Sequence, residues 1–177
     1  PDLSTNTATI DTSVPNSSFK VGTTTVGNDA VFSVNATQQN GTLTLGTVTQ
    51  SGSATYSAAA GCTLALTDVT GGTTLTKTGS GTLVLKGAIA SYTGNTVLSA
   101  GTLSLDAATM PVGTDLFYTS GATLSLNFTG KQYVHRLLID GVQQHGGLYT
   151  ALNTPWISGS GALVVTFPPT GTAMFVR

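Results

Sequence analysis

The chain has 177 residues, a formal net charge of −1 and only 7% charged side chains, against 40% hydrophobic ones. All seven acids are Asp, Glu is absent, and Thr occurs 34 times and Ser 16 times. So few charges supply neither a basic stripe for a phosphate backbone nor a stock of carboxylates for acid–base chemistry, which disfavours nucleic acid as a partner and catalysis as a role.

One domain accommodates this length and can bury a core of its own. Thr is branched at Cβ and favours extended backbone, while the strong helix formers are scarce, so the composition reads as all-β. No apolar stretch approaches the roughly 18 residues of a spanning helix, so no membrane insertion is expected. The chain opens on Pro1 rather than Met, with no basic and then apolar leader behind it, as in a processed or trimmed chain. Cys62 is the single cysteine and has no internal partner for a disulfide; it is expected to pack as a small buried hydrophobe beside Leu64 and Leu66.

Residues 1–30 are rich in Thr, Ser and Asn and alternate weakly, as in Ala8-Thr-Ile10 and Phe19-Lys-Val21, and read as an extended N-terminal segment with a turn at Pro15–Ser18. From residue 31 the pattern is regular. Glycines at 41, 61, 81, 101 and 121 each open a short apolar run, a step of 20 residues repeated along the chain. A fixed step of that size is the mark of a chain that coils on itself, each turn laying a strand over the one before. The inward pairs are then Leu43 and Leu45, Leu64 and Leu66, Leu83 and Leu85, Leu103 and Leu105, and Leu124 and Leu126, stacked as a structural ladder. A one-residue slip would turn each pair outward, so register is strongly specified. A second set of strands is predicted at 54–57, 74–77, 96–99 and 116–119, on another wall of each turn. The fold class is therefore an all-β, single-stranded β-solenoid with turns of about 20 residues occupying 31–166, with a β-sandwich as the alternative that strands every ten residues would also suit.

The pattern breaks at about residue 127. The stretch that follows holds the only Trp, both His residues and two of the six basic side chains, and reads as a decorated C-terminal cap that shields the last strand edge. Leu163 lies 39 residues beyond Leu124, close to two steps, so the leucine spacing is expected to continue through the cap. His135, Arg136, Asp140 and His145 form the one polar cluster worth testing, but the two His residues lack a third ligand at metal spacing. Asp140-Gly141 favours a hairpin turn instead. No metal, cofactor or catalytic residue is assigned. Residues 167–177 form a tail that passes through Pro168-Pro169 and turns apolar again at Ala173-Met-Phe-Val176.

Within the repeats, Leu75-Thr-Lys-Thr-Gly-Ser-Gly-Thr-Leu83, Tyr92-Thr-Gly94 and Ala100-Gly-Thr-Leu103 resemble the autotransporter-associated β-strand repeat of bacterial passenger domains. A looser similarity joins 128–144 and 159–163 to the closing segment of large repeat-bearing bacterial surface proteins. The resemblance implies secretion, a right-handed β-helix, and a structural or adhesive role at or beyond the cell surface. It carries over no catalytic residue. The alternating strands of an outer-membrane barrel are not in the sequence, so either a barrel is cleaved away or another route of export serves.

The expected function is that of a structural segment of an extracellular fibre, surface layer or adhesin stalk, self-associating through its ends, with Ile10, Phe19, Met174, Phe175 and Val176 as inter-subunit contacts. The alternative is a glycan-binding or ice-binding adhesion module that offers Tyr56, Tyr92, Tyr118, Tyr133, Tyr149 and Trp156, or rows of Thr, from a wall. Because Thr-x-Thr does not recur at one place in each turn, the outward threonines read as ordinary strand surface.

Overall fold

The structure, a computed structural model, describes residues 2–3, 7–12, 16, 18–36, 40–87 and 90–167. The described residues form strands and turns with no helix. Among the described residues, pairing between successive coils is parallel, and two short antiparallel ladders occur, both in the C-terminal cap. Parallel neighbours cannot be joined by a tight hairpin and need a long crossover, which each coil supplies. The chain is thus a β-solenoid, and the sandwich alternative, built from antiparallel Greek keys, is set aside.

Each coil has three walls, and the coils on either side of the one at 102–118 lay strand on all three. In Thr42–Gln50 the alternation of buried and outward residues slips by one place at Gly46-Thr47, so Leu43 and Leu45 point inward before the slip and Val48 and Gln50 after it. Thr63–Gly71 repeats this slip at Thr67-Asp68. These strands therefore bend around a corner and line two walls. Gly46 sits at the bend because an added Cβ would lie 3.1 Å from the Gly22 carbonyl of the coil beneath. The third wall consists of strands Ala30–Ala36, Ala54–Ala58, Leu75–Thr78, Thr96–Leu98, Leu116–Tyr118 and Leu137–Ile139 in parallel order.

On the first wall, Leu43, Leu64, Leu83, Leu103 and Leu124 pair rung to rung, and Leu45, Leu66, Leu85, Leu105 and Leu126 do the same beside them. All ten are at most 2% exposed. At strand spacing of about 4.8 Å each leucine covers the one below, and each contributes on the order of 1.5–3 kcal/mol by burial. The column is longer than its leucines. Phe19 and Val21 pair with Leu43 and Leu45 at one end, and Ile157 pairs with Leu124 at the other. Cys62, 1% exposed, lies in this core.

The stack begins before residue 31. Strands Ser18–Val21 and Thr24–Val26 both pair with Thr42–Gln50, and Thr7–Thr12 pairs with Ala30–Ala36. The described strands of the N-terminal segment are hydroxyl-rich and are laid into the sheets.

Leu163 does not continue the leucine column. The rung above Leu124 is Ile157, and Leu163 pairs with Gln132 on the second wall. The cap inserts a long excursion between Leu126 and Ile157, so counting steps of 20 lands on the wrong wall. On that wall the coil at 102–118 has no strand, only a loop at 106–115. The side chain of Gln132, 1% exposed, fills the gap by imitating a strand. Its Oε1 accepts from the Met110 N–H at 3.0 Å, and its Nε2 donates to the Met110 carbonyl at 2.9 Å.

Candidate functional site

Stacking at a fixed step also aligns polar residues at the corner that leads into the third wall. Asn95, Asp115 and Arg136 each precede a strand there, and the side-chain oxygens of Asn95 and Asp115 each reach the next coil. Asn95 Oδ1 accepts from the Asp115 N–H at 3.0 Å, and Asp115 Oδ1 accepts from the Arg136 N–H at 3.1 Å. Asp115, 6% exposed, also accepts from Arg136 Nε at 3.0 Å and Nη2 at 2.6 Å, while His135 Nδ1 lies 3.2 Å from its Oδ1. Burial disfavours the Asp115 charge, but the hydrogen bonds from Arg136 and His135 and the guanidinium charge outweigh it and hold the carboxyl below its ordinary range. The His135 ring tilts against Phe167, with centroids 4.7 Å apart.

The polar cluster expected from sequence is therefore regrouped. His135 and Arg136 meet Asp115, whereas Asp140 accepts from the N–H and the hydroxyl of Ser120. Asp140 and Gly141, with φ of 49° and 80°, form the two-residue hairpin turn between Leu137–Ile139 and Val142–Gln143. His145 is exposed, and its carbonyl accepts from the Tyr149 hydroxyl at 2.6 Å. Each contact fastens one coil or turn to another. No group of three or more metal-ligating side chains occurs among the described residues.

Lys77 is the second polar feature, and its inward position follows from the alternation Leu75-Thr-Lys77. It stands in the core between Tyr56 and Leu98, is 0% exposed, and bends its Nζ out to the corner carbonyls of Thr78 at 2.6 Å, Gly79 at 2.7 Å and Ala100 at 3.1 Å. One ammonium thus ties two successive turns together.

Burial pushes Lys77 from 10.5 down to about 8, and pushes the phenols of Tyr56 and Tyr92 above their ordinary 10. Between pH 8 and 10.5 the unfolded chain holds a lysine proton that the folded chain has shed, so stability rises with pH there. The tyrosines act oppositely. Their contribution is complete below pH 10 and is lost as pH climbs through their raised values. Urea unfolding across this range is expected to show stability climbing from about pH 8 and falling above about pH 10. Lys77→Met should flatten the climb and leave the fall; a wild-type profile without a maximum contradicts this.

The remaining candidate residues separate clearly. Tyr56, Tyr92 and Tyr118 are at most 4% exposed and belong to the core, so they are not offered from a wall. Tyr92 shares a 2.7 Å hydrogen bond with the Thr96 hydroxyl, and Tyr118 donates to the Ala122 carbonyl at 2.8 Å. Trp156 is partly buried and stacks on Tyr118 at 4.2 Å, while Tyr133 is 41% exposed. Outward threonines 42, 63, 82, 102 and 123 do fall in one unbroken column, but the column beside it reads Thr44, Ala65, Val84, Ser104, Ser125. Phe19 is 47% exposed at one end of the core; Ile10 lies in strand Thr7–Thr12; Met174, Phe175 and Val176 fall outside the described residues.

Parallel coils, an apolar column and polar ties from turn to turn define the protein as a β-solenoid. Residues 75–105 match the family model of the passenger-associated-transport-repeat. No curated protein and no solved structure matches the chain. The matched stretch begins at strand Leu75–Thr78 and ends with Thr102–Leu105, so it takes in the Lys77 tie and two rungs each of the third and first walls. That stretch is similar to the β-helical repeat of autotransporter passengers, a family that implies a secreted or surface location.

Proposed function

We propose that the chain is a segment of a secreted structural protein that builds an extracellular fibre, a surface layer or an adhesin stalk, and that it self-associates through its ends or terminal segments. The observation that carries this reading is that the passenger-type repeat sits in register with neighbouring coils that continue the same column on both sides. A column of this kind is a spacer whose length grows with each coil and whose stability comes from nearest-neighbour stacking. Its polar side chains at Asp115, Lys77 and Asp140 serve cohesion, and the chain works as a scaffold rather than a catalyst. Low charge favours close lateral packing because little self-repulsion opposes it. A glycan-directed module draws less support, since three of its six aromatic candidates are core residues. Negative-stain micrographs of the purified chain test the proposal: elongated assemblies that lengthen with concentration are expected, and dispersed single particles at every concentration would refute it.

A further inference from the structure

The cap exposes an apolar row that the column does not need. Strands Lys131–Val134, Ala162–Val165 and Gly147–Tyr149 form the small sheet of the second wall, with Ala162–Val165 in the middle. Val164 pairs with Tyr133 on one side and Leu148 on the other, so these three side chains stand in one line across the outer surface. Tyr133 is 41% exposed and Leu148 51%, and Leu152, in the turn that follows Gly147–Tyr149, is 99% exposed. Lys131 is the one charge on the outer positions of the three strands. Apolar groups gathered in this way on a charge-poor surface mark a contact site.

The chain itself supplies a matching occupant. Ten residues follow Phe167, enough to span up to about 33–36 Å, and they contain the apolar run Ala173-Met-Phe-Val176. The central strand has neighbours on both edges, so the departing chain has no free edge of this sheet beside it. Its exit is fixed at the far corner, where the Phe167 N–H donates to the His135 carbonyl at 2.9 Å. Pro168-Pro169 follow, bringing no N–H for further pairing, and proline disfavours a helical turn in the residue before it. Doubling back onto the row three residues behind would require a reversal across these two prolines, a constraint that the row of a second copy does not impose. We infer that the Tyr133–Val164–Leu148 row takes the apolar C-terminal segment of a second copy. Such a contact joins unlike surfaces and so propagates into a fibre or closes into a ring. This rests on the self-association proposed above and names the surfaces that perform it.

Sedimentation velocity on the whole chain, on Leu148→Asp and on a chain ending at residue 167 tests it, with Trp156 emission confirming that each remains folded and Tyr133→Lys as a second variant of the row. The wild type is expected to associate with rising concentration, and each variant alone to lose at least about tenfold in association constant. An equimolar mixture of Leu148→Asp with the shortened chain should recover a one-to-one complex, since one contributes an intact tail and the other an intact row. If the wild type associates and the row variants do so equally well, the row is not the contact, although self-association stands. If the wild type is monomeric throughout, self-association itself fails. If the shortened chain binds an apolar dye that the monomeric wild type does not, the tail covers its own row, which also overturns the inference.

Discussion

Replacing Leu85 with Ala is expected to lower the unfolding free energy by about 2–5 kcal/mol, measured by urea denaturation. Leu85 is 2% exposed and stands between Leu66 and Leu105 in the middle of the column. The coils above and below are held at strand spacing by their own backbone bonds, so they cannot close over the lost isobutyl group. Its preceding residue, Val84, faces outward and is only partly buried. Val84→Ala should cost less than about 1 kcal/mol, although both substitutions exchange a β-sheet residue for alanine in the same strand. Equal losses at the two positions would mean that strand propensity, and not the stacked core, sets stability.

Gly101→Ala is expected to cost roughly 2–5 kcal/mol, because two penalties fall on one methyl group. Gly101 has φ of +67°, where an L side chain is strained. An added Cβ would also lie 2.4 Å from both the Gly79 and the Gly81 carbonyl oxygens and 2.9 Å from Lys77 Nζ. Neither neighbour is free to yield. The Gly79 oxygen accepts from Lys77 at 2.7 Å, and the Gly81 oxygen accepts from the Thr102 N–H at 3.1 Å. Relief requires the coils to part, which breaks the lysine tie along with the ladder. The glycines that open the runs at 81 and 101 are thus a consequence of backbone passing close over backbone, whereas Gly121 has open space around it and is required by its φ of +94°. A loss below about 1 kcal/mol, again by urea denaturation, would show that the coils spread easily.

What could be read without coordinates was whatever recurs at the coil step. The leucine pairs and the third-wall strands lie at fixed spacing, and the structure stacks them. The second wall was hidden because Thr42–Gln50 and Thr63–Gly71 are continuous strands, and only a one-place slip in alternation betrays the corner. Leu163 was misplaced because the cap spends its residues on an antiparallel hairpin and a loop, so distance along the chain no longer measures height along the column. The polar cluster was grouped by nearness in sequence, while its partners lie one coil away: Asp115 is 20 residues from His135, and Ser120 is 20 from Asp140. The step that located the leucines would have located these pairs too. Lys77 was legible in the same way, as an inward place in an alternating strand.

Stacking of Leu64, Leu83 and Leu103 as consecutive rungs is tested most directly by nuclear Overhauser contacts between their methyl groups in selectively labelled protein. Cross-peaks are expected from Leu83 to both Leu64 and Leu103, with none between Leu64 and Leu103, which stand two rungs apart. Leu83 methyls that reach neither neighbour, or that report a set of contacts unrelated to the column, would contradict the solenoid.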